Sequence, residues 1–402
     1  MGLEVVLNSG KMCPLIQQNA ASGAGIPFTN ASNHDSPRTG AERYLRRTEI
    51  NSMAMDALAP ELLIHIFKSL HSAADIINLS LTCRYFNSLL PKSQKLALFF
   101  HTVDQEMGPV EEAIQLLTQN DQQALHIPRN PPLSFALLAQ VTTVGRVAQR
   151  FVSLYPLHKW TYENSENRRM LQHDEARRLR RAVYRFWSHC QALHSHTLYR
   201  TSRPGSVNSE RLQLLRSWST AELLELEDFR GILEQLLASE ICPTDGDVFS
   251  RHPQTKSVYS FPFKRDTLLD PVKSSIYAEV FHTSGHETSE PTQDSRLSTQ
   301  ERRFKCMQGW GSDLENFYVV QAFLKLTPAQ LLWLLDHAVY KSDVEQFVES
   351  QTMDLCFLES GSMLFHEWVT VLHQRGVDVQ QVRDSIWEGE AGIVRAQESQ
   401  VV

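Results

Sequence analysis

The sequence is poor in cysteine and lacks the cysteine spacings that bind zinc or build disulfide frameworks. Six cysteines are spread over 402 residues, and no two of them form a CxxC pair. Structural zinc sites and small disulfide-rich folds both depend on closely spaced cysteines. We therefore predict neither metal ligands nor a disulfide framework, and we expect the scattered thiols to lie in a reducing compartment, the cytoplasm or the nucleus.

Long apolar runs and an excess of positive charge are also missing. No apolar run approaches the roughly 18 residues of a transmembrane helix. The first residues have neither the basic nor the apolar segment of a signal peptide. The formal charge of −7 provides no overall attraction to nucleic acid or to anionic lipid. We expect no membrane partner and no general binding of nucleic acid.

The motifs of common enzyme classes are incomplete in this chain. His366 and Glu367 begin like a metalloprotease helix, but Thr370 stands where the second histidine ligand is required. The Gly-Trp-Gly at 309–311 lacks the third glycine of a dinucleotide-binding loop. Neither a GxSxG nucleophile elbow nor a phosphate-binding GxxxxGK[ST] loop is present. We predict no catalytic residue, no cofactor site and no enzymatic activity.

The sequence is rich instead in helical patterning. Apolar residues recur at helical spacing over about 56–240 and again from about 312, and no stretch alternates as a half-buried strand does. Several helix starts are marked by Ser or Thr followed three residues later by Glu, Gln or Asp, the spacing of a capping box. Such starts are predicted at Ser72, Ser219, Ser312 and Thr327. The predicted fold class is all-α.

Residues 58–91 form a short unit of three predicted helices with more apolar surface than it can bury by itself. In "DALAPELLIHIFKSL" (56–70), one broad stripe at helical spacing carries Leu62, Leu63, Ile66, Phe67 and Leu70. A unit of fewer than about 40 residues seldom folds stably without a metal, a disulfide or a partner. Either another protein or the downstream helices must cover this surface, and composition alone leaves both explanations open.

The order of residues in this unit resembles the F-box, the adaptor-binding motif of substrate receptors in SCF-type ubiquitin ligases. Residues 58–70 resemble its first half, a Leu-Pro step, then Glu-Leu-Leu, two spacer residues and an Ile–hydrophobic pair. Residues 75–86 resemble its second half, an Asp-Leu step, spaced leucines and a Cys-Arg-x-aromatic group. The chain departs from the pattern at Ala59 (usually Pro), Thr82 (usually Val) and Phe86 (more often Trp).

The resemblance implies a non-enzymatic substrate receptor. Such a chain would bind a Skp-type adaptor, reach a cullin through it, and present an unknown target protein for ubiquitination. The residues implied as the adaptor-binding surface or its immediate support are Leu58, Pro60, Leu62, Leu63, Ile66, Leu70, Leu79, Leu81, Cys83 and Phe86. The alternative is an interaction or scaffold protein that binds the adaptor and recruits nothing for ubiquitination.

Composition divides the chain into six predicted segments. The first is rich in Asn, Ser, Gly and Ala, and the fourth in Pro, Ser, Thr and Gly. In order, we predict a disordered segment (1–52), the F-box (53–97), a first helical part (98–241), a partly disordered linker or loop (242–300), a second helical part (301–390) and a tail (391–402). Two stretches, "RRLRRAVYRFWSHC" and the one beginning "GWGSDLENFYVV", loosely resemble uncharacterised F-box proteins of filamentous fungi.

The segment at about 171–195 is predicted to be a helix with one apolar and one basic face. The apolar face carries Leu179, Val183, Phe186 and Cys190. The basic face carries Arg177, Arg180, Arg181 and Arg185. A basic stripe can bind phosphates, so a helical nucleic-acid-associated regulator using this face is a further alternative. The simpler interpretation is an exposed face, or one that pairs with the acidic C-terminal region, where residues 312–402 carry 14 Asp or Glu and 5 Lys or Arg.

Two features are candidates for target recognition. The C-terminal third contains Trp310, Trp333, Trp368 and Trp387. These tryptophans could form an aromatic pocket, but ordinary helix packing is the favoured explanation. The predicted linker is the second candidate, because a disordered segment can fold on contact with a partner.

Overall fold

The part of the chain that the structure describes consists of helices and the segments that connect them. The computed structural model describes residues 59–70, 72–82, 86, 88, 91–119, 124–160, 168–194, 204–251, 308–351 and 366–395. Within these ranges there are 14 α-helices, one π-helical turn and no strand, which confirms the all-α prediction. None of the described helices is long and apolar enough to cross a bilayer. The predicted disordered segment 1–52 lies outside these ranges.

The helices are numbered here in chain order. The first seven are α1 (Pro60–Ser69), α2 (Ala73–Thr82), α3 (Lys92–Met107), α4 (Val110–Thr118), α5 (Phe135–Lys159), α6 (His173–His194) and α7 (Pro204–Ser217). The next is α8 (Thr220–Leu236), which continues into the π-helical turn Leu237–Ile241. The remainder are α9 (Asp245–Arg251), α10 (Asp313–Phe323), α11 (Pro328–His337), α12 (Lys341–Gln351), α13 (His366–Gln374) and α14 (Val379–Trp387).

Three of the predicted helix starts have the hydrogen bonds of a capping box. At α8, the Glu222 backbone N–H donates to Ser219 Oγ (3.3 Å), and the Ser219 N–H donates to Glu222 Oε2 (2.8 Å). The same reciprocal arrangement begins α10 at Ser312 and α11 at Thr327. Each box satisfies backbone donors that the first helical turn leaves unpaired.

The core is built around α6, which packs against α4, α5 and α8. The side chains on its predicted apolar face are completely buried, namely Leu179, Val183, Phe186 and Cys190. Phe229 of α8 packs edge-to-face on Phe186 of α6, with ring centroids 5.6 Å apart, and on Phe151 of α5, with ring centroids 5.2 Å apart. This geometry is favourable for aromatic pairs. The predicted core role of Cys190 is confirmed, and burial raises the pKa of its thiol well above the usual value.

Helices from the two predicted helical parts pack together. α13 packs on α7, α14 packs on α8, and α11 packs on both α5 and α6. The predicted linker 242–300 contains a short helix, α9, and its residues 252–300 lie outside the described ranges. The two parts therefore share packing contacts, and the limits of each part stay a prediction.

A buried carboxylate connects the C-terminal residues to this core. Asp228 of α8 is 3% exposed and accepts hydrogen bonds from Tyr155 Oη (2.7 Å), Lys159 Nζ (3.0 Å) and the Ile393 backbone N–H (2.9 Å). Ile393 is itself completely buried. Gly392 adopts a φ of +90°, and a Cβ there would lie 2.6 Å from Asp228 Oδ2. The start of the predicted tail is thus part of the packed structure.

The imidazole of His189 on α6 should make stability depend on pH. It is 1% exposed, and burial together with the charge of Arg211 lowers its pKa to about 3. In the unfolded chain a histidine pKa is about 6.5, so below that pH the unfolded chain takes up a proton that the folded chain excludes. The stability present above pH 6.5 is lost as the pH falls, and this group should contribute a slope of up to about 1.4 kcal/mol per pH unit.

Urea unfolding at pH 7.5, 6.5 and 5.5 tests this expectation in the wild type and in His189→Met. The variant should lose less stability over this range. His158, whose pKa burial also lowers, is present in both proteins and cancels in the comparison. Equal slopes in the two proteins would contradict the assignment.

Candidate functional site

The first helix has one buried edge and one exposed edge. α1 begins at Pro60, a favoured residue for the first helical turn. Leu63 and Phe67, one turn apart, are each 2% exposed. Leu62 is 54% exposed, and Ile66, one turn after it, is half-buried. The broad apolar stripe predicted for this helix therefore divides into a side that packs inward and a side that faces outward.

The second helix repeats this division. In α2, Ala73 and Ile76 are buried (3% and 5% exposed), whereas Ile77 is 43% exposed and Leu79 is half-buried. α2 packs on α3, and the Ala73 backbone N–H donates to Glu106 Oε2 of that helix (3.0 Å). The inward side of α2 is thereby held against α3, and Ile77 is left at the surface.

The third helix runs from this unit into the core of the remaining helices. α3 packs on α2, α4 and α5. Phe99, Val103 and Met107 are at most 6% exposed, and the Tyr184 hydroxyl of α6 donates to the Met107 carbonyl (2.5 Å). One continuous helix therefore belongs to both the N-terminal unit and the helical core, which is called the body below.

The structure distributes the ten predicted site residues between core and surface. Leu63 and Phe86 are buried. The residues that are exposed or half-buried are Pro60, Leu62, Ile66, Leu70 and Leu79. Leu58 and Cys83 lie outside the described residues, as does the side chain of Leu81. Exposed Ile77 was missed, although an adjacent pair of isoleucines on one short helix already indicates that both cannot face the same core.

Residues 56–94 match the family model of the F-box-like domain. The chain contains an F-box-like domain. The match includes α1, α2 and the first residues of α3, about one-tenth of the sequence. In the F-box-like domain, Leu63, Phe67, Ile76 and Phe86 are buried, and Leu62 and Ile77 are exposed. No curated protein and no solved structure matches the chain.

The basic face of α6 is not an open stripe. Arg177 pairs with Asp104 of α3 (3.0 Å), and Arg181 pairs with Glu225 of α8 (2.6 Å). Arg180 is 4% exposed and donates through Nε to the Gly108 carbonyl (2.8 Å). These partners hold the arginine face against neighbouring helices.

Arg185 is also enclosed on this face. It is 7% exposed and pairs with Glu222 of α8 (2.8 Å) and with Glu112 of α4. Burial of Glu222 opposes its ionisation, but hydrogen bonds from Arg185 and from Ser219 outweigh that effect and hold its pKa at about 2. The expectation of an exposed face or of pairing with the acidic C-terminal region is wrong, because α3, α4 and α8 supply these partners. The nucleic-acid alternative loses the accessible basic stripe on which it depended.

The tryptophans of the C-terminal third do not all share one environment. Trp310 and Trp368 are buried (5% and 0% exposed), and Trp333 stacks on Phe347 with centroids 4.1 Å apart. Trp387 is 52% exposed. Helix packing therefore accounts for most of them, as predicted. Among the described residues, no cluster of His, Cys, Asp or Glu has the arrangement of a metal site.

Proposed function

We propose that this chain is the substrate-recognition subunit of an SCF-type ubiquitin ligase of a filamentous fungus, acting in the cytoplasm or nucleus. The F-box-like domain would bind a Skp-type adaptor, and through it a cullin. The observation that carries the proposal is the exposure of Leu62 and Ile77 on a domain of this family, beside half-buried Ile66 and Leu70. Large apolar side chains at the centre of an interface supply most of its binding energy.

The body of the protein supports the second half of this function. Its helices bury an extensive core that is joined to the F-box-like domain through α3, so it can hold a bound target in a fixed position. The proposed mechanism is proximity, because a bound target has a high effective concentration near the separate enzyme that transfers ubiquitin. The chain itself would supply no catalytic group.

The alternative function is an adaptor-binding scaffold without a role in ubiquitination. It would use the same exposed residues of α1 and α2 and therefore the same adaptor complex. The two functions differ in what happens when a cullin, a RING protein and a charged ubiquitin-conjugating enzyme are added to that complex.

Co-expression of the full chain with a fungal Skp-type adaptor tests both functions in sequence. We expect an equimolar complex that survives gel filtration at 0.5 M salt, because screening weakens apolar contacts little. After reconstitution with the cullin and its enzymes, we expect ubiquitin on proteins captured from a fungal extract, and less when the chain is omitted. A complex without such transfer would support the scaffold, and a chain that stays monomeric beside the adaptor would overturn the proposal.

A further inference from the structure

One helix of the body carries apolar side chains on two opposite faces. The inner face of α10 is buried through Asn316, Val320 and Phe323. On its outer face, Leu314, Phe317 and Tyr318 are 65%, 41% and 58% exposed. These three residues follow the i, i+3, i+4 spacing of neighbours on a helix, and the rings of Phe317 and Tyr318 lie 5.6 Å apart. Single exposed apolar residues are common, but a contiguous aromatic group is typical of an interaction site.

The short helix α9 adds a fourth apolar side chain to this region. The Asp245 N–H donates to the Gly311 carbonyl (3.0 Å), and the Gly311 N–H donates to Asp245 Oδ1 (3.3 Å), so the start of α9 is fixed beside the start of α10. Phe249, one turn after Asp245 and on the same side of α9, is 60% exposed. We call Phe249, Leu314, Phe317 and Tyr318 the α10 surface.

Negative charge accompanies the α10 surface. Helices α9 and α10 carry four exposed carboxylates, Asp245, Asp247, Asp313 and Glu315. The two helices contain a single basic residue, Arg251. A partner with positive charges next to large apolar side chains would complement both features. Opposite charges steer the encounter, and repulsion between like charges selects against acidic partners.

We propose that the α10 surface docks a segment of the target protein in which large apolar side chains are flanked by Lys or Arg. This inference rests on the proposed function, since it assigns the target site of the same receptor. The rings of Phe317 and Tyr318 anchor the apolar side chains, and the four carboxylates pair with the flanking cations. An acidic segment is repelled, and a second copy of the chain would bring the same carboxylates against themselves.

A peptide display selection tests this proposal, with the immobilised full chain as bait and a library of random twelve-residue peptides. The wild type should enrich peptides that combine Lys or Arg with large apolar residues. Phe317→Ser/Tyr318→Ser should lower their recovery at least about tenfold, because it removes two exposed anchors without touching the core. Asp313→Asn/Glu315→Gln neutralises two of the four carboxylates, so it should weaken the preference for Lys and Arg and keep the helix start, since Gln also completes a capping box.

Leu157→Ser/Met170→Ser is the matched control, because these exposed residues (47% and 75%) lie outside α9 and α10. It should recover the same peptides as the wild type. The proposal is overturned if the wild type enriches nothing or selects acidic peptides, if the aromatic variant recovers as much as the wild type, or if light scattering shows a dimer that this variant dissociates.

Adaptor binding, measured on the same preparations, separates this proposal from the proposed function. The aromatic variant should still co-purify with the adaptor. Adaptor binding without peptide selection would overturn the α10 surface alone. Peptide selection by a chain that does not bind the adaptor would overturn the ligase function and leave a basic-peptide docking surface.

Discussion

Replacing both Leu62 and Ile66 with aspartate is expected to abolish co-purification with the Skp-type adaptor while the chain stays folded. Each change places a carboxylate in the proposed apolar interface, where an unpaired buried charge costs several kcal/mol. Even a loss of about 3 kcal/mol lowers the affinity roughly 100-fold. The fold should tolerate the changes because Leu62 is 54% exposed and Ile66 lies on the same outward edge of α1.

The matched control for this experiment is Leu157→Asp/Met170→Asp, which introduces the same two charges at exposed positions outside the F-box-like domain. Pull-down of the adaptor and thermal unfolding should be measured for the wild type, the double variant, the control and Leu62→Asp alone. The control should bind like the wild type, and Leu62→Asp alone should already weaken binding at an unchanged melting temperature. Retention of the adaptor by the double variant would show that this edge of α1 is not the interface.

Asp228→Ala is expected to lower the free energy of unfolding by about 3–5 kcal/mol. The change removes the partner of three buried groups at once, the Lys159 ammonium, the Tyr155 hydroxyl and the Ile393 N–H. Lys159 would keep its bond to the Ile386 carbonyl (2.9 Å) but lose its counter-charge. Leaving a charge unpaired in a buried site is much more costly than losing an exposed ion pair.

Urea unfolding of Asp228→Ala and of Asp336→Ala measures this difference. Asp336 pairs with Arg150 at 3.5 Å on the surface, with both side chains about half exposed, so its loss should cost no more than about 1 kcal/mol. Trypsin should also cut after Arg395 faster in Asp228→Ala, because Ile393 loses its anchor. Equal stabilities of the two variants would contradict the central role of Asp228.

Local signals in the sequence predicted the helices well, and tertiary contacts explain the differences. The capping boxes at Ser219, Ser312 and Thr327 involve residues three apart, so sequence spacing alone reveals them. α9 was predicted as linker because its short segment is rich in Gly and Asp. Its start is held by long-range hydrogen bonds to Gly311, which no local pattern contains.

The candidate site was only partly predictable for a similar reason. Leu62 and Leu63 are adjacent, equally apolar and on the same broad stripe, yet one is 54% and the other 2% exposed. The difference depends on where the rest of the chain packs against α1, which is a long-range property. The arginines of α6 illustrate the same limit, since their partners on α3, α4 and α8 lie 37 to 73 positions away.

The continuity of α3 has a consequence for the geometry of ubiquitin transfer. Near its end, Glu106 accepts a hydrogen bond from the Ala73 N–H of the F-box-like domain, and the next residue, Met107, accepts one from Tyr184 of the body. A helix held from both sides in this way is not a flexible tether, so under the proposed function it fixes the position of the adaptor relative to the target. Lysines of a bound target would be presented at a restricted range of distances from the ubiquitin-charged enzyme. The choice of modified lysine would then depend on how the target is oriented on the body as well as on which target is bound.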